Sequence, residues 1–236
     1  MFLKRKSVIL YIVFFIIYLI LIIFAFYNID NYSAVNVEYN SLPVIVIDAG
    51  HGGEDGGAVA NNVVEKNINL SISNKLRDIF ISSGFNVKMT RSSDKMINES
   101  GDTLRERKVS DMKNRLKLFN ESENNIVISI HQNKFTQEEY KGSQVFYSTN
   151  NKESEKLALS IKTSIKTLIQ PHNEREIKPA DRNIYLLYNS KTPSVIVECG
   201  FISNIEEARV LKDSAYQNKI AFAIYSGFLD YYNKRG

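Results

Sequence analysis

The chain has 236 residues, of which 44% are hydrophobic and 24% are charged, a composition typical of a globular protein with one sizeable core. The formal net charge is +4, and Lys4, Arg5 and Lys6 carry three of those charges. The rest of the chain therefore lacks the basic excess of a nucleic-acid-binding surface, and no nucleic-acid partner is predicted. The single cysteine, Cys199, excludes an internal disulfide bond and a four-cysteine zinc site.

The first segment of the chain is apolar and follows the basic cluster. Residues 8–27 contain no charge, and about 20 apolar residues are enough to cross a bilayer as a helix. Basic residues tend to stay on the cytoplasmic side of a membrane. We therefore predict an N-terminal signal-anchor or transmembrane segment at residues 1–27 and a polar spacer at residues 28–41. The domain at residues 42–236 is then expected on the extracytoplasmic face of the cell membrane.

Two other interpretations of this segment remain open. A cleaved signal peptide usually has a shorter apolar region, of about 7–15 residues, that ends in small side chains. This run ends instead in the bulky sequence Phe24-Ala25-Phe26-Tyr27. A buried core helix would not explain the basic cluster or the terminal position. We therefore favour an uncleaved anchor.

From residue 42 onward, short β-branched apolar runs alternate with segments of helical periodicity. The predicted strands are Val44–Ile47, Phe85–Thr90, Ile126–Ile130, Gln144–Tyr147, Ile184–Leu187 and Ser194–Val197. The predicted helices are Asn67–Ser82, Asp102–Asn120, Ser154–Leu168, a short helix that ends near Leu211, and Tyr216–Tyr232. This alternation predicts an α/β fold: a single domain with a central, mostly parallel mixed sheet and helices on both faces, preceded by one N-terminal transmembrane or signal helix.

Three local features add detail to this scheme. The apolar face of the second helix is predicted to consist of Leu104, Val109, Met112, Leu116 and Phe119. The spacing of Ser203 and Glu206 is that of a capping box at the start of the short helix. The segment Pro171–Asp181 has no periodicity and is predicted to be a surface loop near the active edge of the sheet.

Titratable side chains gather where the predicted strands end. His51 follows the first strand, His131 follows the third, and Glu198 follows the last. Glu65 stands at the entry of the first helix, just after a glycine-rich loop, so it can turn back towards the same edge. Because ligands bind beyond the carboxyl ends of the strands in an open α/β sheet, we expect these four side chains to lie together.

Two imidazoles and a carboxylate, with one coordination position left for water, make a catalytic zinc site. We therefore predict that His51, Glu65 and His131 hold Zn²⁺, which would lower the pKa of water and polarise a substrate carbonyl. Glu198 is placed to act as the general base that passes a proton to the leaving amine. Asp48 could orient a ligand histidine from behind.

Position alone leaves other interpretations open, because single histidines after strands are often structural hydrogen-bonding residues. Cys199, beside Glu198, could suggest a thiol nucleophile, but strand alternation points it away and favours a buried small residue. The glycines of residues 50–57 do not follow the phosphate-binding pattern Gly-x-x-x-x-Gly-Lys-Ser/Thr. His172 lies in a loop with prolines and is interpreted as exposed.

The blocks around these residues form a specific pattern. They are residues 46–58 with His51, Thr90-Arg91 with Asp94, Arg115 with Asn120, residues 129–133 with His131, and residues 195–204 with Glu198. The pattern resembles the zinc-dependent N-acetylmuramoyl-L-alanine amidases of the amidase-3 type, over roughly residues 43–230. The resemblance implies a zinc site at His51, Glu65 and His131, with Glu198 as the catalytic glutamate.

The resemblance also implies a substrate and partners. The expected reaction is hydrolysis of the amide bond between N-acetylmuramic acid and the L-alanine of the stem peptide in peptidoglycan. The similarity is greatest to family members that process the spore cortex at germination, on the route towards muramic-δ-lactam. Asn133 and Arg182 are predicted either to contact the substrate or to support the site residues from behind. The expected partners are peptidoglycan, the membrane and an activating or localising protein.

Two rival functions remain for comparison. One is a non-catalytic or partner-activated peptidoglycan-binding module on the same fold. The other is a different zinc hydrolase, such as a peptidase or a deacetylase, that acts on the same polymer.

Overall fold

The computed structural model describes residues 11–24, 42–97 and 100–235. The chain divides into two compact units, Met1–Leu42 and Pro43–Gly236. In the first unit, residues 11–24 form a helix, α1, whose side chains are nearly all exposed. Within the described ranges, no helix combines the length and the apolar character needed to cross a membrane. The two ends of the predicted anchor and all of the spacer at residues 28–41 lie outside the described residues, so the anchor stays a prediction.

The second unit is built on a six-stranded sheet with the order β4-β1-β5-β8-β6-β7. The strands are β1 Val44–Ala49, β4 Asn86–Met89, β5 Asn125–Asn133, β6 Gln144–Tyr147, β7 Lys178–Pro179 and β8 Ser194–Phe201, with a separate hairpin of β2 Val59–Ala60 and β3 Val63–Val64. Strands β4, β1, β5 and β8 are parallel to one another, and β6 runs antiparallel to β8. The predicted mostly parallel mixed sheet is confirmed.

The helices cover both faces of this sheet. They are α2 Glu65–Ser82, α3 Leu104–Phe119, α4 Glu153–Leu168, α5 Tyr185–Asn189, α6 Ile205–Leu211 and α7 Ser214–Asn233. Val46 and Val127 pack against Phe119 of α3 and Leu186 of α5. Because side chains alternate along a strand, Ile45 and Ile47 are buried on the opposite face, where α2 and α4 pack with α7.

Two predicted elements are wrong in the segment between α4 and β8. Residues 184–187 were expected to form a strand, but Tyr185–Asn189 is a helix that buries only Leu187. A short apolar run does not by itself distinguish a strand from a buried helical turn. Within the predicted loop, Lys178 and Pro179 form the edge strand β7, which pairs in parallel with β6.

The capping box predicted at Ser203 is also wrong. Asn204 caps α6 instead, and its side chain accepts a hydrogen bond from the Glu207 amide. The Ser203 hydroxyl is used elsewhere, because it accepts a hydrogen bond from the amide of Phe135 at 3.1 Å. The Ser203 hydroxyl is thus bonded to a residue far away in the chain, and the next residue, Asn204, is the N-cap.

The inner face of α3 differs from the predicted apolar face. Leu104 and Val109 are each 39% exposed, whereas Asp111, Arg115 and Phe119 are buried. These three residues are spaced by four and so lie on one side of the helix. Two charged residues and one aromatic residue of α3 therefore face the sheet. The charged pair lies towards the edge of the sheet where the candidate site is found.

Candidate metal and catalytic site

The strand register brings the predicted site residues to one edge of the sheet. His131 of β5 and Glu198 of β8 are direct partners across the two parallel strands. Both lie inside their strands, because each strand is longer than the sequence pattern indicates. The β2–β3 hairpin turns the chain back after the glycine-rich loop, and Glu65 is the first residue of the helix that follows.

Three side chains converge into a group that could hold a metal ion. His51 Nε2 lies 3.3 Å from Glu65 Oε1, and His131 Nδ1 lies 2.9 Å from the same oxygen. The potential ligand atoms of these residues all lie within 4.8 Å of one another. Within the described residues, this is the one His, Cys, Asp and Glu cluster with such geometry. The structure thus brings together the three predicted ligands.

His51 is held in position by a carboxylate that the sequence reasoning missed. Its Nδ1 lies 2.8 Å from Asp55 Oδ2. The His51 backbone has a φ of 62°, in the left-handed region that non-glycine residues rarely adopt and that often marks functional sites. Burial lowers the pKa of His51, but hydrogen bonds to Asp55 and Glu65 outweigh it and raise the pKa to about 9. The two carboxylates therefore favour a positive charge here, which a proton or a metal cation can supply.

Glu65 is oriented by several donors in addition to the histidines. Oε2 accepts a hydrogen bond from the Ala58 amide at 2.8 Å, and Oε1 accepts one from the Gln132 amide at 3.1 Å and one from Asn69 Nδ2 at 3.2 Å. Burial raises the pKa of Glu65, but hydrogen bonds with His131 and His51 lower it well below the usual range. Glu65 is thus a fixed, ionised carboxylate at the centre of the cluster.

Two glycines make room for this close packing. A Cβ atom at Gly50 would lie 2.3 Å from the His131 ring, and one at Gly57 would lie 2.6 Å from both Glu65 Oε2 and the His51 ring. Gly57 also has a φ of 67°, which side chains disfavour. The glycines therefore allow the backbone of the loop to lie close to the side chains of His51, Glu65 and His131.

Glu198 stands beside the cluster at the wall of an open cavity of about 470 Å³. The side chain is half-buried, and its Oε2 has no hydrogen-bond partner within the described part of the chain. Burial raises the pKa of Glu198 to about 7, with a smaller contribution from Glu65 and an opposing one from His131. A carboxylate with a free, enclosed oxygen and a pKa near neutrality is suited to proton transfer.

The comparisons with known proteins agree with this geometry. The family described as N-acetylmuramoyl-L-alanine amidase matches residues 45–230, which is most of the chain. The chain belongs to this amidase family. The predicted activity, hydrolysis of the N-acetylmuramoyl-L-alanine amide bond in peptidoglycan, is confirmed at the level of the family.

Individual amidases are similar along most of their length. The chain is 36% identical to the germination-specific N-acetylmuramoyl-L-alanine amidase of Bacillus subtilis (strain 168), over 94% of this chain and 93% of that protein. The CwlD amidase from Clostridioides difficile, solved in complex with the GerS lipoprotein, has a TM-score of 0.78 and 41% identity, over 81% of this chain and 99% of that one. An N-acetylmuramoyl-L-alanine amidase from Clostridium difficile 630 has a TM-score of 0.72 and 26% identity, over 83% and 100% of the two chains.

Asp48 of the amidase site was predicted to orient a ligand histidine, but its hydrogen bonds go to other side chains. Its carboxylate is fully buried and accepts hydrogen bonds from Thr90, Arg115 and Ser129. Arg115 in turn donates to the backbone oxygen of His51 at 2.8 Å. Asp48 therefore acts on His51 through Arg115 and the backbone, and Asp55 is the carboxylate bonded to the imidazole. A local signal for Asp55 existed, since it lies four residues after His51 in the same loop.

The two predicted substrate contacts differ in placement. Asn133 lines the cavity together with Glu198, and Arg182 is exposed and is not one of its lining residues. The basic residues that do line it are Arg175 and Lys178, which the sequence reasoning missed. Binding by Asn133 and by Arg182 stays a prediction. Cys199 is fully buried, and burial raises the pKa of its thiol, in agreement with a packing role.

Proposed function

We propose that the chain is a zinc-dependent amidase that cleaves N-acetylmuramic acid from the L-alanine of the stem peptide in spore-cortex peptidoglycan. The observation that carries this proposal is the convergence of His51, Glu65 and His131 beside the unpartnered carboxylate oxygen of Glu198. The cortex assignment is supported by the similarity to the germination-specific amidase of Bacillus subtilis.

The ligand set fits zinc. Nitrogen and oxygen ligands at about 2.0–2.1 Å in a tetrahedron are about 3.3 Å apart. The observed separations of 2.9 and 3.3 Å from Glu65 Oε1 to the two imidazole nitrogens are close to that value. Two imidazoles and one carboxylate are also the donor set that leaves one position for catalysis. His51, Glu65 and His131 would therefore hold zinc.

Zinc bound there supplies a Lewis acid that polarises a carbonyl group and lowers the pKa of water. Glu198 accepts a proton from the attacking water at its carboxylate and then gives it to the departing nitrogen of L-alanine. A metal cation held by His51, Glu65 and His131 would favour the ionised form of the neighbouring Glu198 carboxylate, because an opposite charge lowers the pKa of a carboxyl group. Asp55 accepts the Nδ1 hydrogen of His51 and leaves Nε2 free to face the cluster.

The proposal is tested by mass spectrometry of peptidoglycan treated with the full chain. With zinc present, we expect free lactyl carboxyl groups on muramic acid together with released stem peptides. A chelator should abolish this release, and added zinc should restore it. Loss of acetate alone would identify a deacetylase, cleavage within the peptide would identify a peptidase, and release that resists the chelator would contradict the zinc assignment.

Asp55→Asn is expected to weaken zinc binding by about 10–100-fold while the chain stays folded. An amide is a weaker acceptor for the His51 Nδ1 hydrogen than a carboxylate, so the imidazole becomes a poorer ligand. Competition with a chromophoric chelator measures the affinity. Glu54→Gln is the matched control, because Glu54 lies in the same loop but is exposed and paired with Arg107. Equal affinity in both variants would show that Asp55 does not support the ligand.

We also propose that a protein partner assists this amidase. The support is that the similar CwlD amidase was solved in complex with the GerS lipoprotein. The same mass-spectrometric experiment separates the alternatives. Full turnover by the chain alone would argue against a required partner, whereas bound zinc without turnover would favour a partner-activated or non-catalytic module.

We place the protein on the extracytoplasmic face of the cell membrane, held by residues 1–27. The support is the charge-free run that follows a basic cluster in the sequence. Recovery of the full chain from the cytoplasmic fraction, with no membrane-associated or exported pool, would contradict this placement.

A further inference from the structure

The cavity beside Glu198 has a positively charged side that the hydrolytic chemistry does not use. Its lining residues are Asn133, Phe135, Tyr140, Gln144, Phe146, Arg175, Lys178, Ile184, Glu198 and Phe201. Glu198 is the only acid among them, and Arg175 and Lys178 are both cations. A hydrolytic site needs a base and a metal, so two further cations call for a separate explanation.

Arg175 lies over two aromatic rings. Its Cζ lies 4.5 Å from the ring centroid of Phe201 and 5.6 Å from that of Tyr140. Nε donates to the Lys141 carbonyl oxygen at 2.8 Å, and Nη1 lies 3.4 Å from Gln144 Oε1. These contacts orient the guanidinium but involve no carboxylate. Burial raises the pKa of the nearby Glu207, and the charge of Arg175 opposes that rise, but the Glu207 oxygens accept hydrogen bonds from the Gly142 and Phe201 amides. No carboxylate is therefore hydrogen-bonded to the Arg175 guanidinium within the described residues, and its planar donors are suited to bind one.

Lys178 supplies a second cation at the same wall. It lies in the edge strand β7, opposite Phe146 of β6, and is exposed. The nearby Glu176 pairs with Lys162. Among the described residues, no hydrogen bond or ion pair engages the Lys178 ammonium group. Two cations without a carboxylate partner therefore share one cavity with the proposed base.

We propose that Arg175 and Lys178 form a subsite for a carboxylate of the stem peptide next to the cleaved bond, and so determine which peptides the amidase accepts. This inference rests on the proposed function, because the stem peptide is the source of that carboxylate. A carboxyl group of the stem peptide at this position is ionised at neutral pH, whereas its primary amide is neutral. The charge of the subsite favours the free form, since a hydrogen bond between charged groups is stronger than one to a neutral amide.

The test measures binding, so it does not depend on turnover. The ligands are two N-acetylmuramoyl tripeptides that differ only in whether the α-carboxyl group of the second peptide residue is free or a primary amide. Calorimetry uses the zinc-loaded full chain carrying Glu198→Gln, so that the ligands are not cleaved during the titration, and is expected to show about tenfold or tighter binding of the free form. Arg175→Gln and Lys178→Gln should each remove most of this preference, while the Kd for the amidated ligand changes by less than about threefold.

Lys166→Gln is the matched control for a lost positive charge, because Lys166 pairs with Glu174 away from the cavity, and it should keep the preference. If Arg175→Gln fails to fold, the preference measured in Lys178→Gln still tests the proposal. Three results would overturn the proposal: no preference in the non-cleaving chain with Arg175 and Lys178 intact, which includes binding of neither ligand; equal weakening of both ligands in the variants; or loss of the preference in Arg182→Gln alone. A preserved preference without amidase activity would contradict the proposed function and leave this subsite standing.

Discussion

Glu198→Gln is expected to retain bound zinc and to lose turnover by about 10²–10⁴-fold, the usual contribution of a general acid–base group. Glu198 lies outside the ligand cluster, so the metal does not depend on it. Its Oε2 is enclosed and has no partner in the described part of the chain, and glutamine places at that position a group that cannot take a proton from water. Metal analysis and the rate of stem-peptide release measure the two effects separately.

Glu206→Gln is the control for this variant. Glu206 lies in the first turn of α6 and is exposed, so its replacement should leave both zinc content and rate unchanged. A near-normal rate in Glu198→Gln would make the assignment of the base wrong. Loss of zinc from that variant would show instead that Glu198 is a ligand.

Asp48→Asn is expected to lower the free energy of unfolding by about 3–5 kcal/mol, the usual effect of removing one partner from a buried ion pair. The Asp48 carboxylate lies 2.5 Å from Arg115 Nη1, and their side chains are 0% and 3% exposed. Without that charge, the buried guanidinium keeps only Asp111, at 2.6 Å, as a carboxylate partner. Chemical denaturation of the two chains measures the difference. Asp78→Asn, an exposed acid on α2, should change stability by less than about 0.5 kcal/mol.

The same pair predicts a pH dependence of stability. Burial raises the pKa of Asp48, but the charges of Arg115 and His131 and the hydrogen bonds from Ser129 and Thr90 together outweigh it and hold the pKa below its usual value of 3.8. A carboxyl group whose pKa is lowered by folding stabilises the protein above its unfolded-state pKa, and this contribution is lost as the pH falls through the folded-state pKa. The unaltered chain and Asp48→Asn should therefore converge in stability below about pH 3.8. A constant difference down to pH 2 would contradict the ion-pair explanation.

The long elements could be predicted because their patterns are local. Helix α2 was expected over Asn67–Ser82 and begins only two residues earlier, at Glu65. Its apolar side chains recur at helical spacing within a single segment. The run Ile184–Leu187 is too short to show such a period. Three of its four residues belong to the helix α5, and Ile184 directly precedes it. In so short a segment, packing rather than the local pattern determines the secondary structure.

The location of the site was also predictable, but its supporting contacts were not. His51 follows one parallel strand, and His131 and Glu198 lie near the carboxyl ends of two others, which the sheet brings to one edge. No comparable rule identifies the partner of a buried charge from the sequence. Asp48 and Arg115 are 67 residues apart in the chain. The sequence placed Arg115 in a predicted helix and in a motif of the family, but it did not indicate that Asp48 is its partner.

The sequence by itself determined the α/β class, the mixed sheet, the family and the three side chains that form the metal-binding cluster, because strand and helix periods and short motifs are written in neighbouring residues. Only the tertiary structure decided that Asp55 holds His51, that Arg115 links Asp48 to the His51 backbone, and that Arg175 rather than Arg182 lines the cavity. The contacts of Arg115 and the lining of the cavity depend on distances between residues far apart in the chain, and the Asp55 contact depends on the backbone conformation of the loop at His51. Packing sets such distances, and no local pattern encodes them.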